Sequence, residues 1–251
     1  MSDIVCITGA SSGIGYAMAM EFAKHGYYLV LTGRDRMALD DLEKKIRKRY
    51  QVKVWIMIED LAEKTGAKSL YQQIREKNIE IDVLVNNAGI GYGGTFLEQP
   101  LEKDEDIIMV NMYSVTALTK LFGEDMKNRR RGKILQVAST GAFHPGPYTT
   151  VYYAAKAYVL SFSRALRREL KQYNIQVSVL CPGAVATNFS KRAGKKENPI
   201  AMKPEYVAKE AYKGLKKGKE LIIPKWYYRL LVKIPPFLAV RLLEKQQKNM
   251  I

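Results

Sequence analysis

The sequence predicts an α/β fold: one domain built on a doubly wound, seven-stranded parallel sheet with helices on both faces. Three observations carry this. Short apolar runs alternate with longer amphipathic stretches, seven such runs recur along the chain, and glycine and proline gather at the junctions. Strand, helix, strand repetition of this kind implies a parallel sheet, because each crossover returns the chain to the same end while a helix covers one face. The 251 residues suffice for one such domain, which needs roughly 200 to 250.

The strand candidates are 4–8, 28–32, 52–58, 83–85, 133–137, 177–180 and 221–223. Most are near-continuous Val, Ile and Leu, as expected of strands covered on both faces. Between them, 16–25, 36–50, 62–77, 104–130 and 151–172 carry apolar residues at three and four spacings, the period of a helix with one buried stripe. No repeat or linker interrupts the pattern. Two segments escape it: 188–203, polar in composition, and the tail from Trp226, which is aromatic and basic and is broken by Pro235 and Pro236. The expected organisation is a catalytic body, 1–225, including a substrate loop at 188–203, and a C-terminal extension, 226–251.

An apolar fraction of 47% and a charged fraction of 26% set disordered and fibrous classes aside. The net charge of +16 is regional: 191–251 holds 16 Lys and Arg against 5 Glu, hence +11 of it. Such a bias serves nucleic acid, an anionic membrane surface, an acidic substrate carrier or simply a solvated basic face. No nucleic-acid motif is present, so no nucleic-acid partner is expected. Cys6 and Cys181 fall in strand-like runs, no signal-like segment precedes the first strand, and no run of 18 apolar residues exists. A reducing, cytoplasmic setting is therefore the expectation.

The first strand runs into Thr8-Gly9-Ala10-Ser11-Ser12-Gly13-Ile14-Gly15, after which the helical pattern begins. A tight strand-to-helix turn needs residues free of Cβ restrictions, and the open amides at the helix start face an anion. Three residues separate the first two glycines, unlike the commoner Gly-x-Gly-x-x-Gly arrangement. This spacing resembles the short-chain dehydrogenase/reductase family, in particular its 3-oxoacyl reductase and hydroxysteroid dehydrogenase-like members. The resemblance continues in order through Asp60, Asn86-Asn87-Ala88-Gly89, Asn111, Ser139, Tyr152, Lys156 and Pro182-Gly183.

The resemblance implies a Rossmann-type fold that binds a nicotinamide dinucleotide. Gly9, Ser11, Ser12, Gly13, Ile14 and Gly15 would cradle the pyrophosphate. Asp60 and Leu61 would border the adenine, and Asn86, Ala88 and Gly89 would line the adenosine ribose. Pro182, Gly183, Val185 and Thr187 would hold the nicotinamide end. Cofactor choice is read at the end of the second strand, Leu31-Thr32-Gly33-Arg34. Where NAD-using relatives carry Asp this chain has Gly33, and Arg34 offers a permanently charged fork for a 2′-phosphate. NADP(H) rather than NAD(H) is expected, although the residue before the second glycine, basic in many NADP-using relatives, is Ser12.

Tyr152 and Lys156 are four apart in a helical pattern, so both lie on one face. A free tyrosine has a pKa near 10 and exchanges its proton sluggishly at neutral pH, whereas a neighbouring ammonium favours the phenolate. Tyr153 lies three residues from the same lysine and geometry alone leaves it open; the family spacing selects Tyr152, with Lys156 also anchoring the nicotinamide ribose. Ser139 follows the fifth strand, at the sheet edge where such folds place ligands, and its hydroxyl suits a substrate carbonyl. Asn111 sits in an apolar helical stretch where an amide needs partners, and the resemblance gives it a water linking Lys156 to solvent. His25 and His144 show no metal spacing, and no metal is expected; His144 falls in a pocket segment.

Segments 92–96, 143–148 and 188–202 are placed around the substrate by the family pattern. They are apolar and aromatic with basic edges, which suits a hydrophobic ketone, its alcohol or an acyl group on an acidic carrier. The tail Trp226-Tyr227-Tyr228-Arg229-Leu230-Leu231-Val232-Lys233 has the composition of an interfacial segment. Pocket closure or subunit packing is the first expectation for it and membrane contact the second. The resemblance also implies a homodimer or homotetramer. A rival class, a nucleotide-sensing scaffold that has lost its chemistry, is disfavoured by the intact Asn111, Ser139, Tyr152 and Lys156.

Overall fold

A computed structural model describes residues 2–194 and 200–250. Seven parallel strands lie in the order β3-β2-β1-β4-β5-β6-β7, namely β1 (Ile4–Thr8), β2 (Tyr28–Gly33), β3 (Val54–Ile58), β4 (Val83–Asn86), β5 (Gly132–Val137), β6 (Ile175–Leu180) and β7 (Leu221–Ile222). All seven expected strands form. The order reverses between β1 and β4, and at such a switch point the loops leaving the carboxyl ends splay apart to leave a crevice.

Strand alternation builds a core on each face. Val5, Ile7, Leu29 and Leu31 point into one, together with Ala19 and Phe22 of α1 (Gly13–Lys24), Leu39 and Leu42 of α2 (Arg36–Tyr50) and Ala211 and Leu215 of a helix from Pro204 to Lys216. Cys6, Val30 and Leu84 point into the other, against Leu70 of α3 (Gly66–Glu76) and Phe122 of a helix from Ser114 to Arg129. Cys6 and Cys181 are buried free thiols.

Two helical expectations change, and two helices appear where none was expected. The third helix starts at Gly66 rather than residue 62, because the Asp60 carboxylate accepts from the Ala62 amide and shapes an intervening turn; a side chain at Gly66 would strike the Asp60 carbonyl. The stretch 104–130 divides into α4 (Leu101–Ile108), a π turn at Met109–Tyr113 and α5 (Ser114–Arg129). Next comes α6 (Thr150–Leu170). The segment 188–203 holds a short helix, α7 (Asn188–Arg192), and returns to pair Met202 with Val185; 195–199 lie outside the described residues. α8 (Pro204–Lys216), which the sequence reading omitted, starts on a proline that needs no amide partner and buries Val207, Ala208, Ala211 and Leu215.

The extension consists of α9 (Trp226–Leu231) and α10 (Pro236–Met250), parted by the two prolines. It packs on the body. Tyr228 covers Gly183 and its hydroxyl accepts from the Ala184 amide at 3.2 Å. Farther along, Gln247 of α10 donates to the Tyr153 hydroxyl at 3.0 Å and accepts from Thr149 at 3.2 Å.

Candidate active site

The turn after β1 needs all three of its glycines. Gly9 and Gly13 adopt left-handed backbone (φ +65° and +57°), and a Cβ on Gly9 would lie 2.9 Å from the Ala88 Cα. A Cβ on Gly15 would strike the Gly9 carbonyl. Gly13 faces the Thr187 methyl, which brings the loop after β6 against the turn. Ser12 is the N-cap of α1 yet makes no side-chain capping bond, so the first-turn amides around Gly13 and Ile14 remain open to an anion. Ser11 lies beside Gly33 at the end of β2. The turn therefore fits a dinucleotide pyrophosphate.

Asn87, part of the Asn86-Asn87-Ala88-Gly89 run that the resemblance set to line the ribose and brace the sheet, braces this turn. Its side-chain amide donates to the Thr8 carbonyl at 2.8 Å and the Gly9 carbonyl at 3.2 Å, while the amides of Asn87 and Ala88 donate to the Thr8 hydroxyl. Asn86, expected beside the ribose, instead sends its side chain into the core to donate to the Thr119 hydroxyl at 2.9 Å. Alternation explains the swap: consecutive residues leaving a strand point to opposite faces, so only one amide can face the turn.

Arg34 stands at the rim and is 64% exposed; its guanidinium lies 3.3 Å from Asp60. The adjacent Asp35 is occupied as the N-cap of α2, accepting from the Ala38 amide, and so competes little for a ligand. Leu61 is buried in the core cluster below. A second cation reaches the turn from an unforeseen direction: Arg192, on α7, donates to the Ser12 hydroxyl at 3.2 Å. The spacing of residues 12 and 192 hid this contact from any local reading.

Tyr152 and Lys156 rise from the first turns of α6. The Lys156 ammonium sits 5.7 Å from the Tyr152 ring centroid, is buried, and donates to the Val137 carbonyl at 2.9 Å. Burial in this apolar setting lowers its pKa to about 8. Tyr152 moves the other way: loss of water raises the phenol well above its ordinary value, with a hydrogen bond from Ser139 working in the opposite direction. Burial sets the direction for the phenol, while the ammonium is held by the Val137 carbonyl.

Ser139 caps the turn Thr140–Phe143 by accepting from the Gly141 amide, which fixes its hydroxyl toward Tyr152. Gly89 lies over Lys156, where a Cβ would be 3.2 Å from the ammonium and 3.1 Å from the Asn111 side-chain oxygen. Asn111 itself sits in the π turn, a distortion that often marks a functional position, and is fully buried. Its amide accepts from the Ile90 amide at 3.0 Å and donates to the Ile90 carbonyl at 2.7 Å. The side chain therefore clamps the backbone of Ile90 in the loop over Lys156.

Beside Tyr152 lies a narrow recess of about 20 Å³ lined by Tyr92, Phe96, Gln99, Ile107 and Tyr148. Two of the three expected pocket segments contribute. Tyr148 holds a left-handed backbone (φ +61°) while its carbonyl accepts from the Gly94 amide; strain in a non-glycine residue at a cleft is a mark of function. Phe189 of α7 lays its ring 5.4 Å from that of Tyr152. His144 turns away to bond the Leu231 carbonyl, and Pro182 accepts from the Thr140 amide. Among the described residues no cluster of metal-ligating side chains occurs.

Comparison with known proteins agrees with this geometry. The sequence pattern of the short chain dehydrogenase family matches residues 3–198. An uncharacterized short-chain type dehydrogenase/reductase of Sinorhizobium fredii is 38% identical over 246 residues, 96% of this chain and 90% of its own. A very-long-chain 3-oxoacyl-CoA reductase of Anas platyrhynchos is also 38% identical, over 74% of this chain but only 60% of its own length. Among solved structures, a short-chain dehydrogenase of Sphingobium yanoikuyae in complex with NADPH superposes with a TM-score of 0.86 at 30% identity, covering 99% of this chain and 96% of that one.

Proposed function

The chain belongs to the short chain dehydrogenase family, and from that premise we propose that it is an NADP(H)-dependent oxidoreductase. It interconverts a carbonyl and a secondary alcohol on a hydrophobic ketone or acyl substrate. The observation that carries the reading is the clustering of Ser139 and Lys156 about Tyr152, which itself lines a recess with Tyr92, Phe96 and Tyr148, in a fold that carries an anion-ready glycine turn. Each group supports a separate part of one reaction.

Substrate enters the recess with its carbonyl oxygen between the Ser139 and Tyr152 hydroxyls. The bound nicotinamide would supply the hydride in reduction and accept it in oxidation. As the carbonyl carbon is reduced, its π electrons move to oxygen, and Tyr152 donates its proton there. A phenol raised by burial stays protonated at neutral pH and yet is a far stronger acid than a secondary alcohol, so the transfer runs downhill. Ser139 donates to the developing alkoxide. The Lys156 ammonium stabilises the phenolate left behind, and Asn111 holds the loop over that ammonium through Ile90.

NADP(H) is favoured by Arg34, by Gly33 where a carboxylate would repel a phosphate, and by Arg192 at Ser12. The named substrate class rests on Tyr92, Phe96, Tyr148 and Phe189 around the acid. A homodimer or homotetramer in a cytoplasmic setting completes the reading. The test is NADPH oxidation against a panel of hydrophobic ketones, diketones and 3-oxoacyl thioesters. Wild-type protein is expected to turn over members of the panel, with the Tyr152→Phe variant slower by about a hundredfold or more. Full turnover in that variant would exclude Tyr152 as the acid.

A further inference from the structure

The extension has two faces, and only one is used by the body. On α10, Ala239 and Gln247 are buried against the protein, whereas Phe237, Leu238, Arg241, Leu242, Lys245 and Lys248 are exposed. On α9, Trp226, Leu230 and Leu231 are exposed as well, Trp226 at 69% and Phe237 at 72%. Soluble surfaces scatter such residues singly; six of them within two consecutive helices form a patch. Cations are interleaved with them: residues 225–250 carry Lys225, Arg229, Lys233, Arg241, Lys245 and Lys248 against Glu244 alone, hence +5.

Charge decides what covers this face. A second copy would bring +5 against +5 across a two-fold contact, a repulsive arrangement for exposed charge. A bilayer carrying anionic headgroups instead presents negative charge above hydrocarbon, matching cations beside Trp, Phe and Leu. We propose that α9 and α10 dock this outer face on an anionic lipid surface as a peripheral contact. Among the described residues no helix is long and apolar enough to cross a membrane, so the contact stays at the interface. The inner face of the same helix bonds Tyr153 and Thr149 through Gln247, and Thr149 lines the recess. Docking therefore sets the substrate recess close to the lipid, where hydrophobic molecules concentrate.

The test is co-sedimentation of the full-length protein with vesicles of phosphatidylcholine, with or without phosphatidylglycerol, at low and high salt. Pelleting is expected with the anionic vesicles and declines with salt. The triple variant Arg241→Gln, Lys245→Gln, Lys248→Gln is expected to bind about a hundredfold more weakly, and Trp226→Ser, Phe237→Ser, Leu242→Ser at least about tenfold. Both sets lie outside the catalytic group, so turnover of a water-soluble ketone and circular dichroism stay at wild-type values. Protein left in the supernatant, equal pelleting on neutral vesicles, variants that bind like wild type, or apolar variants that dissolve a concentration-dependent dimer would each overturn the proposal. The readout is binding, so it stands or falls separately from the proposed chemistry.

Discussion

Replacing Arg34 by alanine tests the cofactor assignment most directly, because one side chain is asked to distinguish two cofactors that differ by one phosphate. A charge-assisted bond to phosphate contributes up to about 3 kcal/mol when desolvated. Here the guanidinium is 64% exposed and already 3.3 Å from Asp60, an exposed pairing that subtracts up to about 1 kcal/mol. The remainder, about 2 kcal/mol, corresponds to roughly 30-fold. Arg34→Ala should therefore lower kcat/KM for NADPH by about that factor and leave NADH within about threefold. Asp60→Asn offers the opposite arm: it frees Arg34 while keeping an acceptor for the Ala62 amide, and should raise the NADPH preference up to about fivefold. The assay is initial rates with both cofactors, supported by dissociation constants from protein fluorescence. Equal losses for NADPH and NADH in Arg34→Ala, or a weakened NADPH preference in Asp60→Asn, would refute the reasoning.

The remaining predictions concern protons and packing. In the proposed reaction Lys156 serves as the ammonium, and burial brings its pKa down to about 8; the charged form is present below that value and lost above it. Reductive kcat/KM should therefore be level below about pH 8 and fall by up to tenfold per unit above it, and a flat profile to pH 10 would contradict the assignment. Tyr153→Phe removes the hydroxyl that accepts from Gln247, a loss of about 1 kcal/mol. It should lower Tm by roughly 2–4 °C while keeping turnover, unlike Tyr152→Phe; abolished turnover would reopen the choice between the two tyrosines. Gly15→Ala puts a methyl against the Gly9 carbonyl and Asn87, so NADPH affinity should fall at least about tenfold and stability by more than about 2 kcal/mol. Unchanged binding by calorimetry would show that the turn is not the phosphate cradle.

Periodicity made the sheet legible because its strands are covered on both faces and read as unbroken aliphatic runs. It also located α2 to the residue, since Asp35 caps one end and the apolar stripe fades at the other. What it missed were features set by distant contacts. The π turn at Asn111 looks like ordinary helix in sequence and is revealed only by the clamp on Ile90. Alternation past the end of β4 decides that Asn87 rather than Asn86 faces the turn, and no local pattern reports which side of a sheet holds a cofactor. Arg192 supplies at Ser12 a cation that the turn itself lacks, through a contact that depends on where α7 packs. The sequence likewise showed Tyr152 beside Lys156 but not that burial raises the phenol and lowers the lysine.

The division at residue 225 has the same lesson in the other direction: a boundary visible in composition is not a boundary in packing. Tyr228 occupies the space over Gly183, where any side chain would collide with its ring, and its hydroxyl takes the Ala184 amide. That loop continues to Thr187, whose methyl faces Gly13 in the glycine turn. At the other end Gln247 ties α10 to Tyr153 and Thr149, one residue either side of the stretch that carries Thr150 to Tyr152. Deleting the extension would therefore disturb both the cofactor turn and the acid, and lost activity in a truncated protein would say nothing about lipid. Substitutions confined to the outward residues leave these inner contacts in place, which is why they, and not truncation, separate a surface role from a structural one.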